Sequence, residues 1–371
     1  MVVGMQPMPR TNVVRDYRDL EKTAIELLAL KGYSILPPDG LVSSAFHDTF
    51  APSAFHARIV ESVRLGPKSD ESIHQAGCEW AYRHVDQEKV GPNAFHLSSF
   101  RMLVFFAVYP SSGDHAQLRQ QTVRTFVDAL RVAGLDPRHC LVTYFGGGNV
   151  LGQSLSPDED IAQAWVKVGI PEENLIPVCG SSNFTNINRS GEPVGPRCEI
   201  FWKAENDQTV ELGTVVFEQG LLNDETRFAT GKGFVYGGAL GIERLAMASG
   251  AMTSIFLVPE LDNLRRLVHK SIDPRLALVC ASEVCQFVDA VRTLAVLVAE
   301  VGLPDRSRRG DRMHKLVRKA RRCLLSLGLD RSTSLVGELV TAVAQRELMV
   351  ENDLACARIV GLVEGLISKV A

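Results

Sequence analysis

The 371-residue chain contains no Cys-x-x-Cys and no Cys/His pairing at metal-ligand spacing. Its eight cysteines are scattered from Cys78 to Cys356. That pattern argues for reduced thiols, as in a cytoplasmic protein, and against a structural zinc. No apolar run is long enough to cross a bilayer, so a membrane span is excluded. The first residues, MVVGMQPMPRTN, lack an apolar signal core and a cleavage site and are read as a frayed start. Charge of either sign is not in excess: 40 Lys/Arg face 43 Asp/Glu, a net −3. Bulk attraction to nucleic acid is thereby excluded, and any polyanion site must be local. Internal repeats and low-complexity tracts are also missing. What remains is an ordinary globular composition, 46% hydrophobic and 22% charged, long enough for two or three domains.

Helical spacing is expected over Asp16–Lys31, Gln117–Ala133 and Asp158–Val168, with strands over Met102–Tyr109, His139–Phe145, Cys198–Lys203 and Thr209–Phe217. After Val258 only the helical period persists, over Glu283–Val301, Arg309–Leu327, Ser334–Ala344 and Asn352–Val370. This change of period divides the chain into an α+β unit, 1–255, and an all-helical unit, 256–371.

Four segments carry the chemistry. QAGCEWAYRHVDQEKVGPNAFHLSSFRMLV (75–104) reads as two antiparallel strands around a charged loop. NFTNINRSGEPVGPRCEI (183–200) is a Gly/Pro-stiffened loop feeding a strand. VELGTVVFEQ (210–219) is a strand, with Thr214, Val216 and Glu218 on one face. GFVYGGALGIER (233–244) is Gly-rich and ends in Gly-x-Glu-Arg before an apolar helix. An arginine held there by small residues can lie against a planar ring or meet a phosphate. The Gly-rich run otherwise reads as a surface loop.

In this order the four segments resemble the catalytic domain of alanyl-tRNA synthetase, a class II aminoacyl-tRNA synthetase. The first carries His84, Asp86, Glu88, Val90, Gly91, His96, Phe100, Met102 and Leu103 in the register of the family's second motif. The second carries Asn183, Phe184, Gly191, Pro193, Gly195, Pro196, Glu199 and Ile200. The third carries Glu211, Val216, Phe217 and Gln219, and the last Gly241, Glu243 and Arg244. LVAEVGLPDRSRRGDRMHKLVRKARR continues the likeness into the helical tail. The resemblance implies an antiparallel sheet flanked by helices, ATP and Mg²⁺, a small-molecule amino-acid substrate, and tRNA as a partner. It places ATP against Arg83, His84, Glu88, Phe100, Gln219 and Arg244, and Mg²⁺ on Glu211.

Departures from the family pattern cluster at the chemistry. The motif-two arginine that grips the ATP α-phosphate aligns with Glu79, and the motif's lysine with Arg83. Arg101 replaces a family glutamate on the paired strand, so it is expected to neutralise Glu79 or to take over the phosphate. Arg83, His84, Arg101 and Arg244 are therefore the catalytic candidates. Thr185 stands for a tryptophan, Thr214 for an asparagine, and Gly237 for the aspartate that holds the substrate ammonium. An ammonium in a dry pocket needs a negative partner. Glu218, which replaces an apolar residue, is the candidate new ligand, or else an ion-paired core group. With Met102 and Val216 these residues define a pocket altered for a different or larger substrate.

Nine Lys/Arg fall between Arg306 and Arg322. Arg308, Arg312, Lys315, Lys319 and Arg322 share a helical stripe, and Arg306, Arg309 and Arg318 flank it. In the family this region meets the tRNA acceptor stem; the alternative is a solvated basic face. Three functions follow as expectations: an adenylate-forming enzyme acting on an acid other than alanine, a binding or regulatory module keeping tRNA affinity or a dimer surface, or a transferase that takes pre-charged aminoacyl-tRNA.

Overall fold

The computed structural model describes residues 16–42, 49–68, 71–112, 115–185, 190–203, 209–223, 228–329 and 333–368. In chain order the elements are α1 (Tyr17–Leu30), β1 (Ser34–Ile35), α2 (His56–Leu65), β2 (Ile73–Tyr82), β3 (Ser99–Pro110), α3 (Ala116–Val132), β4 (Cys140–Phe145), β5 (Gly148–Val150), β6 (Gln153–Leu155), α4 (Glu159–Lys167), β7 (Leu175–Val178), β8 (Pro193–Val194), β9 (Arg197–Lys203), β10 (Thr209–Leu222), β11 (Phe228–Gly241) and α5 (Ile242–Ser249). Helices α6 (Pro259–Ser271), α7 (Pro274–Val279), α8 (Ala281–Val301), α9 (Arg308–Ser326), α10 (Thr333–Arg346) and α11 (Asp353–Ser368) complete it. The expected α+β class, an antiparallel sheet flanked by helices and followed by helices, is what the chain forms.

The nine-stranded sheet has the order β1-β2-β3-β11-β10-β9-β4-β7, with β8 joined to β10. Only β1/β2 and β4/β7 are parallel. The central strands are long because β2, β3, β11 and β10 pair over most of their lengths. Their period-two alternation yields two apolar faces. On one, Leu103, Phe105, Ala107, Phe217 and Tyr236 join Tyr17, Leu28, Phe126 and Trp165 in the main core. On the other, Met102, Val104, Phe106, Val108 and Val235 pack with Ala54, Phe55 and Val63 around α2. A cavity lies on this second face.

Several elements differ from the sequence reading, and three of them bear on the site. The Gly-rich run is no loop: it lies in β11, a strand of 14 residues. Its glycines answer to close backbone approach. A Cβ at Gly237 would stand 2.5 Å from the carbonyl oxygen of Phe105 and 2.8 Å from Cβ of Phe106. Helix α6 was not read although Pro259 opens it and Glu260 and Asp262 fill its first turn, whereas α2 lacks an obvious signal. HARIVESVRL is short, with Phe55 at its N-cap in left-handed geometry (φ 52°) instead of a capping Ser or Asp. Its start is secured from elsewhere: buried Glu79 accepts from the Phe55 amide at 2.7 Å and from the Asp39 amide at 2.6 Å.

The C-terminal helices are fastened to the sheet by buried polar groups as well as by Phe287, Leu294 and Val340 in the main core. Asp289 on α8 accepts from the Ser98 amide at 2.8 Å and from its hydroxyl at 2.5 Å. One turn on, Arg292 donates to Glu243, Glu347 and the Ser99 carbonyl. No helix among the described residues is long and apolar enough to cross a membrane.

Candidate active site

The second face of the sheet forms the floor of a cavity of about 620 Å³. Thr214, Val216 and Glu218 come from β10, Val235, Gly237 and Ala239 from β11, and Met102, Val104 and Phe106 from β3. Opposite this floor stand Phe50, Pro52, Ser53, Ala54, His56 and Ile59, and the turn carrying His84, Val85 and Asp86. A narrower compartment of about 60 Å³ adjoins it, lined by Phe95, Phe100, Glu211, Gly241, Arg244 and Ile255. Arg83, Asp86, Met102, Thr214 and Ala239 belong to both walls.

Two arginines define the narrow compartment. Arg244, in the first turn of α5, donates to the Phe95 carbonyl at 3.1 Å and to the Glu211 carbonyl at 3.0 Å, and its Nη1 lies 3.3 Å from Glu211 Oε2. Arg83 donates to the Pro52 carbonyl at 3.1 Å, and its guanidinium stands 5.2 Å from the Phe100 ring centroid. Both side chains are only partly covered and remain able to meet an anion. His96 is held below the usual imidazole range by burial and by Arg244. His84 is shifted the same way by burial and by Arg312 and Lys315 on α9. The basic face of α9 thus stands near the mouth of the larger cavity.

At the other end of β10's contribution lies Glu218, 6% exposed. Burial pushes its carboxyl up to about 7, against the lowering influence of His56 and of a hydrogen bond with Thr185. His56 Nε2 lies 2.7 Å from Glu192 Oε2. His56 and Glu192 did not stand out in the sequence: His56 falls in no motif and Glu192 sits unremarked between Gly191 and Pro193, and it is the packing of α2 over β10 and the pairing of β8 with β10 that bring them to Glu218. The two threonines are tied to backbone. Thr214 donates to the Cys198 carbonyl at 2.9 Å, and Thr185 donates to the Pro193 carbonyl and accepts from the Gly195 amide, each at 3.1 Å.

The structure separates several residues that the sequence grouped. Arg101 neither faces Glu79 nor enters the cavity. Glu79 is opposite Met102, and Arg101 is opposite Trp80, so the two charges occupy opposite sheet faces. Arg101 is buried, pairs with Glu21 on α1 at 2.6 Å and stacks over Trp80. The catalytic and phosphate expectation for it is therefore corrected: its charge is consumed by the main core. Gln219 turns to Tyr236, 3.5 Å away, on that same face, and Glu88 is exposed outside both compartments. Lys319 is also corrected as a phosphate contact. It is 4% exposed and donates to the Gln87 carbonyl, bracing the turn that carries His84. Arg306, Arg308, Lys315, Arg318 and Arg322 are exposed and Arg309 and Arg312 half-buried. Arg308, Arg312, Lys315 and Arg318, with Asp311, line a surface groove of about 300 Å³.

Among the described residues no group of three or more His, Cys, Asp or Glu could hold a metal. A magnesium ion brought by a nucleotide needs fewer protein ligands, since phosphates and water supply most of its sphere. Glu211, partly exposed and near Glu199, suits that lesser role.

Sequence comparisons show what the chain is similar to. No known family profile matches the chain. The alanine–tRNA ligase of Candida albicans is 26% identical over 292 residues, 70% of this chain and 28% of the ligase. That of Schizosaccharomyces pombe is 28% identical over 301 residues, 75% of this chain and 29% of the ligase. That of Rhizobium johnstonii is 25% identical over 338 residues, 84% and 35% respectively. Among solved structures, pyrrolysyl-tRNA synthetase of Desulfitobacterium hafniense is similar over 67% of this chain and 74% of its own, with TM-score 0.41 and 14% identity, too distant to bear on residue roles. The chain is thus similar to alanine–tRNA ligases, at 25–28% identity over 70–84% of its length. It spans about a third or less of the length of these relatives.

Proposed function

We propose that the protein activates a carboxylic acid other than alanine with ATP and passes the acyl group to an acceptor. A substrate carboxylate oxygen attacks the α-phosphorus, one P–O bond forms, another breaks, and pyrophosphate leaves. Such chemistry rests on positioning and charge neutralisation and needs no general base. Arg244 and Arg83 are assigned to the phosphates, with Phe100 as an apolar wall and Glu211 as the one carboxylate for Mg²⁺. The observation that carries this reading is the pair of partly exposed arginines in a narrow compartment that opens onto a much larger one. The acceptor is assigned to the exposed α9 cations beside His84, which suit a phosphodiester backbone such as that of tRNA.

One observation favours a second reading. Glu79, in the alignment position of the α-phosphate arginine, is wholly occupied with backbone amides. A chain that has lost its phosphate grip would be a binding module. ATP–pyrophosphate exchange against the protein amino acids and a set of non-protein amino acids separates the two. Exchange with any acid, abolished by Arg244→Ala, supports the enzyme. Silence across the panel, with tRNA still retarded in a gel, overturns it in favour of the module.

A further inference from the structure

The larger cavity is built to hold more than a small α-amino acid. Thr214 stands in the wall shared with the arginine compartment. Glu218 lies four residues further along the same face of β10, roughly 13 Å away at about 3.3 Å per residue. Between them the floor is apolar: Val216, Gly237, Ala239, Val104 and Phe106. The cavity wall contains two acids, and they differ. Asp86, near the arginines, is paired with Lys89 at 2.8 Å. Glu218, at the remote end, has no lysine or arginine partner among the described residues; it has the Thr185 hydroxyl and, nearby, the His56–Glu192 pair. Among the described residues that end holds two acids and one imidazole, so a cation from the ligand would complete the pairing once Glu218 gives up its proton.

We propose that the cavity binds a carboxylic acid whose amine sits several carbons from its carboxylate, with Glu218 as the acceptor for that distal ammonium. This rests on the reading that the arginine compartment receives the carboxylate end. An α-amino acid of alanine's size cannot touch both ends, because its ammonium lies one carbon from its carboxylate. A longer aliphatic chain spans the apolar floor and buries its methylenes on Val216 and Val104, at about 0.8 kcal/mol per methylene. Specificity then follows from leaving Glu218 unpaired when the amine is missing or too near.

The test is equilibrium binding by calorimetry, without ATP, of L-alanine, β-alanine, 4-aminobutyrate, 6-aminohexanoate, L-lysine and hexanoate to the full chain. The expected result is affinity rising with chain length, with 6-aminohexanoate or L-lysine at least tenfold tighter than both L-alanine and hexanoate. Glu218→Gln should erase the advantage over hexanoate and leave hexanoate binding unchanged. L-alanine binding as tightly as the long amines, or an undiminished amine preference in Glu218→Gln, overturns the proposal. The chain-length series needs no variant, so it decides the matter whatever the behaviour of Glu218→Gln. Preference for long amines with silent pyrophosphate exchange would sink the adenylation reading and keep this one. Exchange driven by short α-amino acids alone would do the reverse.

Discussion

Arg292 on α8 and Glu243 at the start of α5 are joined at 2.7 Å with their side chains 0% and 1% exposed. Glu347, just beyond α10, holds the other side of the same guanidinium at 2.7 Å and also accepts from the Tyr17 hydroxyl. The residue preceding Arg244 is thus locked to three helices from distant parts of the chain. Glu243 further accepts from the Arg101 amide, so β3 is included.

Arg292→Met should be strongly destabilising, by about 3–5 kcal/mol, because it strands two buried carboxylates. Urea denaturation measures it. The triple variant Arg292→Met, Glu243→Gln, Glu347→Gln should recover much of the loss, since the cost is uncompensated charge and not lost volume. Recovery of nothing would place the cost in packing.

Restoring the acid of the alanine enzymes should fail. Gly237→Asp brings a Cβ onto the Phe105 carbonyl, where backbone must give. Overpacking of that kind costs roughly 1–3 kcal/mol. Gly237→Ala should lose about as much, and neither should gain L-alanine affinity by calorimetry. Tighter alanine binding by Gly237→Asp would show that the strands part readily.

Glu218 should make stability fall with pH. Its carboxyl is pushed up to about 7 by burial, above the ordinary range near 4.3 that the unfolded chain would show. Between those values the folded protein holds a proton that the unfolded chain has released, so stability drops as pH rises through the window. Glu218→Gln removes this dependence. The difference between variant and wild type should be small at pH 4.5 and grow in favour of the variant up to pH 8, on the order of 3 kcal/mol at most. Thermal melts across that range read it; parallel curves would contradict it.

Within α9 the cations should split into two behaviours. Lys319→Met removes the brace under the Gln87 carbonyl and should lower the melting temperature. Lys315→Ala and Arg318→Ala should leave stability within about 0.5 kcal/mol. If α9 binds a nucleic acid backbone, each exposed substitution lowers the slope of log affinity against log salt by about 1. Filter binding over a salt series distinguishes them.

The long helices and the strands β2, β3, β4, β9 and β10 were legible because hydrophobic period is a local property: α1, α3, α4, α8, α9 and α10 lie within a few residues of where the spacing puts them. The site's strand face, Thr214, Val216 and Glu218, was legible for the same reason. Helix α2 was not, since its N-terminal support comes from Glu79 on another strand. Strand β11 was legible only as a short lead into the helix, because five glycines sit in its 14 residues; Gly231, Gly233 and Gly237 meet neighbouring backbone and Gly238 the rings of Phe105 and Phe126. Arg101 was misassigned because pairing two strands does not set their register. One residue of offset put it opposite Trp80 and on the far face. His56 and Glu192 owe their place to tertiary packing alone.

Where the related ligases grip a nucleotide, this chain grips its own helix, through the amides of Phe55 and Asp39. An arginine returned to that position would push a cation against the donor end of α2 and lose both bonds, so the roof of the cavity would be unseated before any phosphate arrived. A single substitution to arginine at this position therefore costs the support of α2 before it can offer any contact to a phosphate.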